Sequence, residues 1–255
     1  MKSNKRCNDL SGKEWLQNSF SIWRNHKKTP EEKRFYHPAS YPLSLAEKLI
    51  ETFSKRESIV LDPFNGIGST CVAASNLGRK AIGIDLQKKY CDIAKTRIND
   101  PNIDIIQGDS FQVVPNFPDN YFDLCVTSPP YWDILNMRRT ADIKDHEGYS
   151  NLKEDLGNID DYSNFLNLLG ELFEIIQPKL KPSAYLLINV MDIRKGKHFY
   201  PLHSDLAYLL KDKGYIFDDL IIWDRQIDYN NMRPLGYPYK FRINKVHEYI
   251  LIFVK

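Results

Sequence analysis

From Ser58 onward the chain repeats one unit: a short apolar run rich in β-branched residues, then a segment with helical periodicity. SIVL at 58–61 leads into a helical stretch ending near Leu77, and AIGI at 81–84 leads into Lys88–Ile98. IDII at 103–106 and FDLCV at 122–126 follow, and YLLINV at 185–190 comes after a long amphipathic segment, 161–180. Leu202–Lys211 reads as one more helix, and Ile216–Trp223 and Glu248–Val254 as two last strands with no helix between them. Such alternation admits few architectures, because parallel neighbours need crossovers and helical crossovers cover both faces of the sheet. The expectation is an α/β fold with a mostly parallel, seven-stranded sheet that ends in an antiparallel hairpin. Ahead of it, capping boxes at Ser11–Glu14 and Thr29–Glu32 and a helical pattern over 43–53 predict a helical lead-in, residues 1–57.

A chain of 255 residues, 42% hydrophobic, can bury one large core, and residues 1–255 are expected to form a single domain with the sheet over 58–255. The formal charge of +2 excludes the global basic excess of a general nucleic-acid binder, so any phosphate-binding face must be local. Four cysteines without CxxC spacing exclude a zinc or disulfide framework, and no metal is expected. The N-terminal MKSNKRCNDL lacks the apolar core of a signal peptide. No run approaches the roughly 20 apolar residues that cross a bilayer. A soluble, cytoplasmic protein with no membrane partner is the expectation.

The first unit ends in LDPFNGIGST, which sets Gly66 and Gly68 between a strand and a helix, where the backbone can turn tightly and approach a ligand. Three ligands compete for such a turn. A nucleoside triphosphate needs a Lys before the Ser/Thr pair, and Ile67, Gly68, Ser69 and Thr70 offer none. A dinucleotide needs a third small residue, and Cys71 stands there. The third ligand suits Asp62: a carboxylate repels a pyrophosphate but attracts an ammonium, and S-adenosylmethionine carries an ammonium and no phosphate. Asp85 at the second strand end falls where an acid bonds ribose hydroxyls, and Asp109 after the third could accept from an adenine amino group. One such acid is ordinary surface chemistry; three at successive strand ends beside GxG favour S-adenosylmethionine.

The fourth strand runs into TSPPYW, residues 127–132, outside the strand ends where ligands of open α/β sheets bind. The lone pair of a base amino group is delocalised into the ring and is a poor nucleophile. Two acceptors on the amine hydrogens can localise it and aim it, and the Ser128 hydroxyl and Pro129 carbonyl can supply them. Pro129 and Pro130 stiffen that backbone, and Tyr131 can stack on a base taken out of the helix. A proline-stiffened loop with buried aromatics is the plainer alternative.

DPFNGIGST and TSPPYW together resemble the two signature motifs of the DNA amino-methyltransferases, which modify cytosine N4 or adenine N6. HPASYP at 37–42, DLGNIDDYSNFLNLL, YLLINVMD, IIWDR and HEYILIFVK are similar to further family stretches in matching order. The resemblance implies a Rossmann-like, S-adenosylmethionine-dependent methyltransferase fold. It assigns Asp62, Pro63, Phe64, Gly66, Gly68, Ser69 and Thr70 to the methionine part of the cofactor, with His37 and Ser40 near the methionine tail. It assigns Asp85 to the ribose, Asp109 to the adenine, and Ser128, Pro129, Pro130 and Tyr131 to the catalytic pocket, with Trp132 in support. Ser at the first motif position favours cytosine N4; adenine N6 is the alternative, as is a non-catalytic specificity subunit that binds the cofactor. Cytosine C5 chemistry needs a Pro-Cys pair, which the sequence lacks.

The implied partner is DNA, with a homodimer or a cognate restriction endonuclease left open. No long target-recognition region is visible, so recognition falls to residues 133–158 and 224–246. Arg138, Arg139, Arg225, Arg233, Tyr237 and Arg242, together with Trp132, are the candidate DNA contacts, since arginines bind phosphate or guanine edges and aromatics fill the gap of a flipped base.

Overall fold

The computed structural model describes residues 6–35, 37–135, 149–150, 152–229 and 234–255. Five strands run parallel: β2 (Ile59–Asp62), β3 (Lys80–Asp85), β4 (Ile103–Gln107), β5 (Phe122–Thr127) and β6 (Leu180–Val190). β9 (Ile216–Asp224) and β10 (His247–Val254) form the antiparallel hairpin, and β10 lies against β6. The order is β1-β9-β10-β6-β5-β2-β3-β4, where β1 is Ile22–Trp23. The chain winds outward through β2, β3 and β4, then returns to the other side of β2 with β5. The switch point therefore lies between β2 and β5, and a crevice opens above it.

Among the described residues the sheet has eight strands, one more than the seven expected. The eighth comes from the lead-in: β1 pairs parallel with β9, Trp23 opposite Trp223, and Trp23 is fully buried with the Lys48 ammonium 4.2 Å over its ring. Two residues are too few to leave an alternating pattern, and this strand is fixed by its partner alone. Both capping boxes form, but only Ser11 opens a helix, α1 (Gly12–Asn18). Thr29 and Glu32 exchange their backbone–side-chain bonds (2.8 and 3.2 Å) around a single 3-10 turn, Glu32–Arg34. The second oxygen of Glu32 accepts from Leu43 N at 2.7 Å, and Pro38 disfavours helical backbone at His37, so the turn does not propagate.

Burial on both faces explains the apolar strand runs. Along β6, Leu186 and Ile188 face one core and Leu187 the other; along β10, Leu251 and Phe253 oppose Ile250 and Ile252. The first core is roofed by α6 (Tyr162–Ile176) and α7 (Leu202–Asp212) through Phe165, Leu169, Phe173, Leu206 and Leu210. The second is covered by α2 (Leu43–Phe53), α3 (Ser69–Asn76) and α4 (Lys88–Arg97) through Leu45, Leu49, Ala73 and Ala94. α6 stops at Ile176, short of the expected 180, because Gln177–Lys179 tightens to a 3-10 turn around Pro178 and β6 starts at Leu180. A short helix, α5 (Ser110–Val113), and a two-strand ribbon, β7 (Ile193–Lys195) with β8 (His198–Tyr200), flank the crevice. Among the described residues no helix is long and apolar enough to cross a membrane.

Candidate active site

A cavity of about 870 Å³ opens above the switch point. Its walls combine the glycine turn, the acidic strand ends and the proline corner, including Gly66, Asp85, Asp109, Ser128 and Tyr131. The two sequence motifs, far apart in the chain, therefore share one chamber.

The glycine turn follows from backbone demands. Gly66 and Gly68 have φ of +51° and +81°, which only glycine adopts without strain, and a Cβ on Gly66 would sit 2.8 Å from His37 Nε2. Asp85 is buried and its carboxylate gathers the turn: it accepts from Gly66 N (2.7 Å), Gln87 N (2.8 Å) and the Tyr149 hydroxyl (2.6 Å). Burial raises its pKa while these bonds hold it down. Asp109 caps α5 by accepting from Phe111 N at 3.0 Å. Pro63, Phe64, Ser69 and Ser40 line the cavity, with Ser40 accepting from Lys28 Nζ at 2.7 Å. His37 also lines it. Its Nδ1 accepts from Ala39 N at 3.1 Å, and burial pushes its pKa down to about 3, so the neutral ring carries its proton on Nε2. That Nε2 is buried without a partner among the described residues, as are both amide atoms of Asn65.

Asp62 departs from expectation. It is 2% exposed, is not on the cavity wall, and both oxygens are taken. Oδ1 accepts from Thr127 Oγ1 (2.7 Å) and Phe64 N (3.1 Å); Oδ2 accepts from Thr70 Oγ1 and, at 3.5 Å, from the Tyr41 hydroxyl. Burial lifts its pKa to about 6. Instead of meeting an ammonium, Asp62 ties β2 to β5 and α3 beneath the cavity floor. Thr70 and Gly68 also lie off the wall, because Thr70 is a partner in that tie and Gly68 caps α3.

The proline corner is held by a buried polar chain. Ser128 Oγ lies 2.9 Å from the Tyr131 hydroxyl, which donates to Glu248 Oε2 at 2.8 Å. Asn189 Nδ2 donates to both Tyr131 Oη (2.8 Å) and Glu248 Oε2 (2.6 Å), and Arg225 pairs with Glu248 Oε1. Burial and the Glu248 charge raise the Tyr131 phenol well above its ordinary value, so it stays protonated.

Several candidate DNA contacts are corrected here. Arg225 points inward, paired with Glu248 and lying 4.8 Å over the Trp223 ring, because a buried carboxylate needs its charge. Trp132 is 4% exposed, donates from Nε1 to Ile159 O at 2.7 Å and packs on Tyr162 and Tyr200, which places it in the core behind the corner. Tyr237 faces outward, and Arg242 is half-buried with its guanidinium bonded to Gly196 O at 2.7 Å. They share their loop with Tyr239 and Phe241, 91% and 97% exposed, and with Ile243 and Lys245 on the cavity wall. Arg138, Arg139 and Arg233 lie outside the described residues. Sequence reasoning missed Glu248, Asn189 and Tyr149. A lone acid in HEYILIFV and a lone amide in YLLINV were legible signals, since a polar side chain inside an apolar strand needs a buried partner. Nothing local marked Tyr149.

Comparison with known proteins follows the same pattern. A family model described as DNA methylase matches residues 1–96 and 122–255, and a general methyltransferase-domain model matches 61–139. The chain is 43% identical over 83 residues to the orphan methyltransferase M.BamHII of Bacillus amyloliquefaciens, 31% of each chain. It is 34% identical over 98 residues to the type II methyltransferase M.ScaI of Streptomyces caespitosus, 36% of this chain and 31% of that one. It is 40% identical over 87 residues to the type II methyltransferase M.HinfI of Haemophilus influenzae, 33% of this chain and 24% of that one. The matched segment thus spans only 24–31% of these relatives' lengths. Among solved structures, the complex of the Haloferax volcanii Trm112 methyltransferase activator with a methyltransferase aligns at a TM-score of 0.50 and 13% identity, over 78% of this chain and 83% of that one. The fold is that of the Rossmann-like, S-adenosylmethionine-dependent methyltransferases.

Proposed function

The chain belongs to the DNA methylase family, whose model covers most of its length, and from this premise we propose that residues 1–255 act as one catalytic unit that methylates the N4 amine of cytosine in DNA, with S-adenosylmethionine as methyl donor. The observation that carries the reading is the shared chamber: Asp85, Asp109 and the glycine turn meet Ser128–Tyr131 in one cavity.

The residues present fit the cofactor. His37 Nε2 and the Asn65 amide are buried polar atoms without partners among the described residues, as expected of groups that meet a polar ligand. Asp85 would exchange the Tyr149 hydroxyl for the ribose hydroxyls, and Asp109 would accept from the adenine amine. Bound there, S-adenosylmethionine supplies an electrophilic methyl group on a positively charged sulfur.

The chain's own part is to orient a poor nucleophile. Ser128 Oγ and the Pro129 carbonyl accept the two amine hydrogens, which localises the nitrogen lone pair and directs it. Pro130 fixes that carbonyl, and the Tyr131 ring supports the base. Ser128 in place of an acidic or amide residue favours cytosine. Lys240, Arg242 and Lys245, interleaved with the exposed Tyr239 and Phe241, suit a phosphate backbone and an extruded base.

The test is to incubate the protein with S-adenosylmethionine and mixed-sequence DNA, digest to nucleosides, and identify the product by mass spectrometry. N4-methylcytosine supports the reading. N6-methyladenine keeps the site and overturns the target base. Cofactor binding without methylated DNA would favour the specificity-subunit reading.

A further inference from the structure

We propose that Glu248 is a positioning residue that sets the direction of every hydrogen bond at the proline corner, so that Ser128 meets the target amine as an acceptor only. This rests on the proposed amino-methyl transfer and assigns Glu248, Arg225 and Asn189 a part in it.

The argument is one of proton counting. A carboxylate accepts and never donates. Glu248 is buried, 4% exposed, and its Oε1 is paired with the Arg225 guanidinium. The Tyr131 hydroxyl, 2.8 Å from Oε2, must therefore spend its single proton on Glu248. The contact between Ser128 Oγ and Tyr131 Oη, 2.9 Å, can then be made only by the serine proton. Ser128 has no further proton to give, and lone pairs are all it can present to a ligand. The same carboxylate orients Asn189: Nδ2 reaches Glu248 Oε2 at 2.6 Å and Tyr131 at 2.8 Å, and the flipped amide would bring oxygen against oxygen. Asn189 Oδ1 is left buried without a partner among the described residues, on a residue that lines the cavity. Two acceptors thus belong to the same wall.

A serine hydroxyl left to itself can rotate, and some of its rotamers would aim a proton at the nitrogen that must attack. Donation to that lone pair would compete with methyl transfer. The chain Arg225–Glu248–Tyr131–Ser128 removes that choice before substrate arrives, which is the preorganisation that makes hydrogen bonds effective in catalysis. It also explains why β10, a mostly apolar strand, carries one buried acid.

The test uses Glu248→Gln and Tyr131→Phe, both nearly isosteric, singly and together, with single-turnover methyl transfer as the readout. A glutamine amide can donate to Tyr131, which frees that proton for Ser128 and reverses the chain. Each single variant should lose about 100-fold in rate, the scale of one preorganised hydrogen bond. Cofactor affinity by calorimetry should stay within about threefold, because the cofactor residues are untouched. The double variant should be no slower than Tyr131→Phe alone, since Glu248 acts through Tyr131. Losses that multiply, or a Glu248→Gln rate equal to wild type, overturn the proposal. Where Glu248→Gln melts too early to assay, Tyr131→Phe and Ser128→Ala carry the same test, and their losses must likewise fail to multiply. A wild-type chain that methylates no DNA is a separate result: it removes the function itself, and the relay with it.

Discussion

The two ends of the cavity are built differently. At the cofactor end the two buried carboxylates are tied to strands and turns: Asp62 accepts four hydrogen bonds, from Thr127 of β5, Thr70 of α3, the Phe64 N–H in the turn after β2, and Tyr41, and Asp85 accepts three. At the target end the inner wall is equally firm, with Glu248 holding Tyr131, Asn189 and Arg225. The outer wall is a loop whose aromatics Tyr237, Tyr239 and Phe241 are 78%, 91% and 97% exposed. A cofactor of fixed shape can be met by strand ends held in one geometry. A DNA target is large and is approached from solvent, so its contacts stand out on loops. The difference separates what must be rigid for chemistry from what must be open for access.

That contrast can be broken most forcefully at the corner. Tyr131→Ala should lower methyl transfer by two orders of magnitude or more, about 3 kcal/mol in the transition state. Cofactor affinity should change little, and a calorimetric loss as large as the kinetic one would move Tyr131 to the cofactor end. At that end, Asp85→Ala should weaken S-adenosylmethionine by roughly 10- to 100-fold, since hydrogen bonds to a charged group are worth about 1.5–3 kcal/mol. An unchanged titration would take Asp85 out of the ribose site.

On the outer wall, reversing charge at Lys240, Arg242 and Lys245 should weaken DNA binding by about tenfold. It should also flatten the slope of log affinity against log salt, by up to about 0.9 per lost phosphate contact. A parallel shift with the slope kept would mean these residues meet no phosphate. A smaller effect is expected from Tyr149, whose hydroxyl occupies Asp85 at 2.6 Å. Tyr149→Phe should bind the cofactor about threefold more tightly by removing that competitor, and weaker binding would make Tyr149 part of the cofactor site instead.

The smallest effect concerns pH. His37 is held neutral at about 3 against an ordinary 6.5, so between those values the unfolded chain takes up a proton that the folded chain refuses. Its contribution to stability falls as pH drops from 6.5 toward 3. Asp62 acts oppositely, since its pKa of about 6 lies above the ordinary 3.8 and the folded chain is the one that keeps the proton. Thermal melting of His37→Gln relative to wild type should therefore lose less between pH 7 and pH 5. A steeper loss would mean that His37 is charged in the fold.

The amino-acid sequence by itself determined the alternation of strand and helix, the position of the switch point, and the pairing of a glycine turn with acidic strand ends. Each of these is written in local periodicity, in residues that only certain backbone angles tolerate, or in motifs contiguous along the chain. β1 could not be read there, because two residues carry no period and their pairing energy comes from β9, some 200 positions away. The direction of the acids was likewise hidden. Asp62 and Asp85 end neighbouring strands in similar words, yet Thr70 and Thr127 turn one into the fold while the other lines the cavity. Arg225 looked like a surface cation until Glu248 claimed it. Only tertiary structure decides such cases, because a charged side chain goes where its desolvation is compensated, and the partners that compensate it arrive from distant strands.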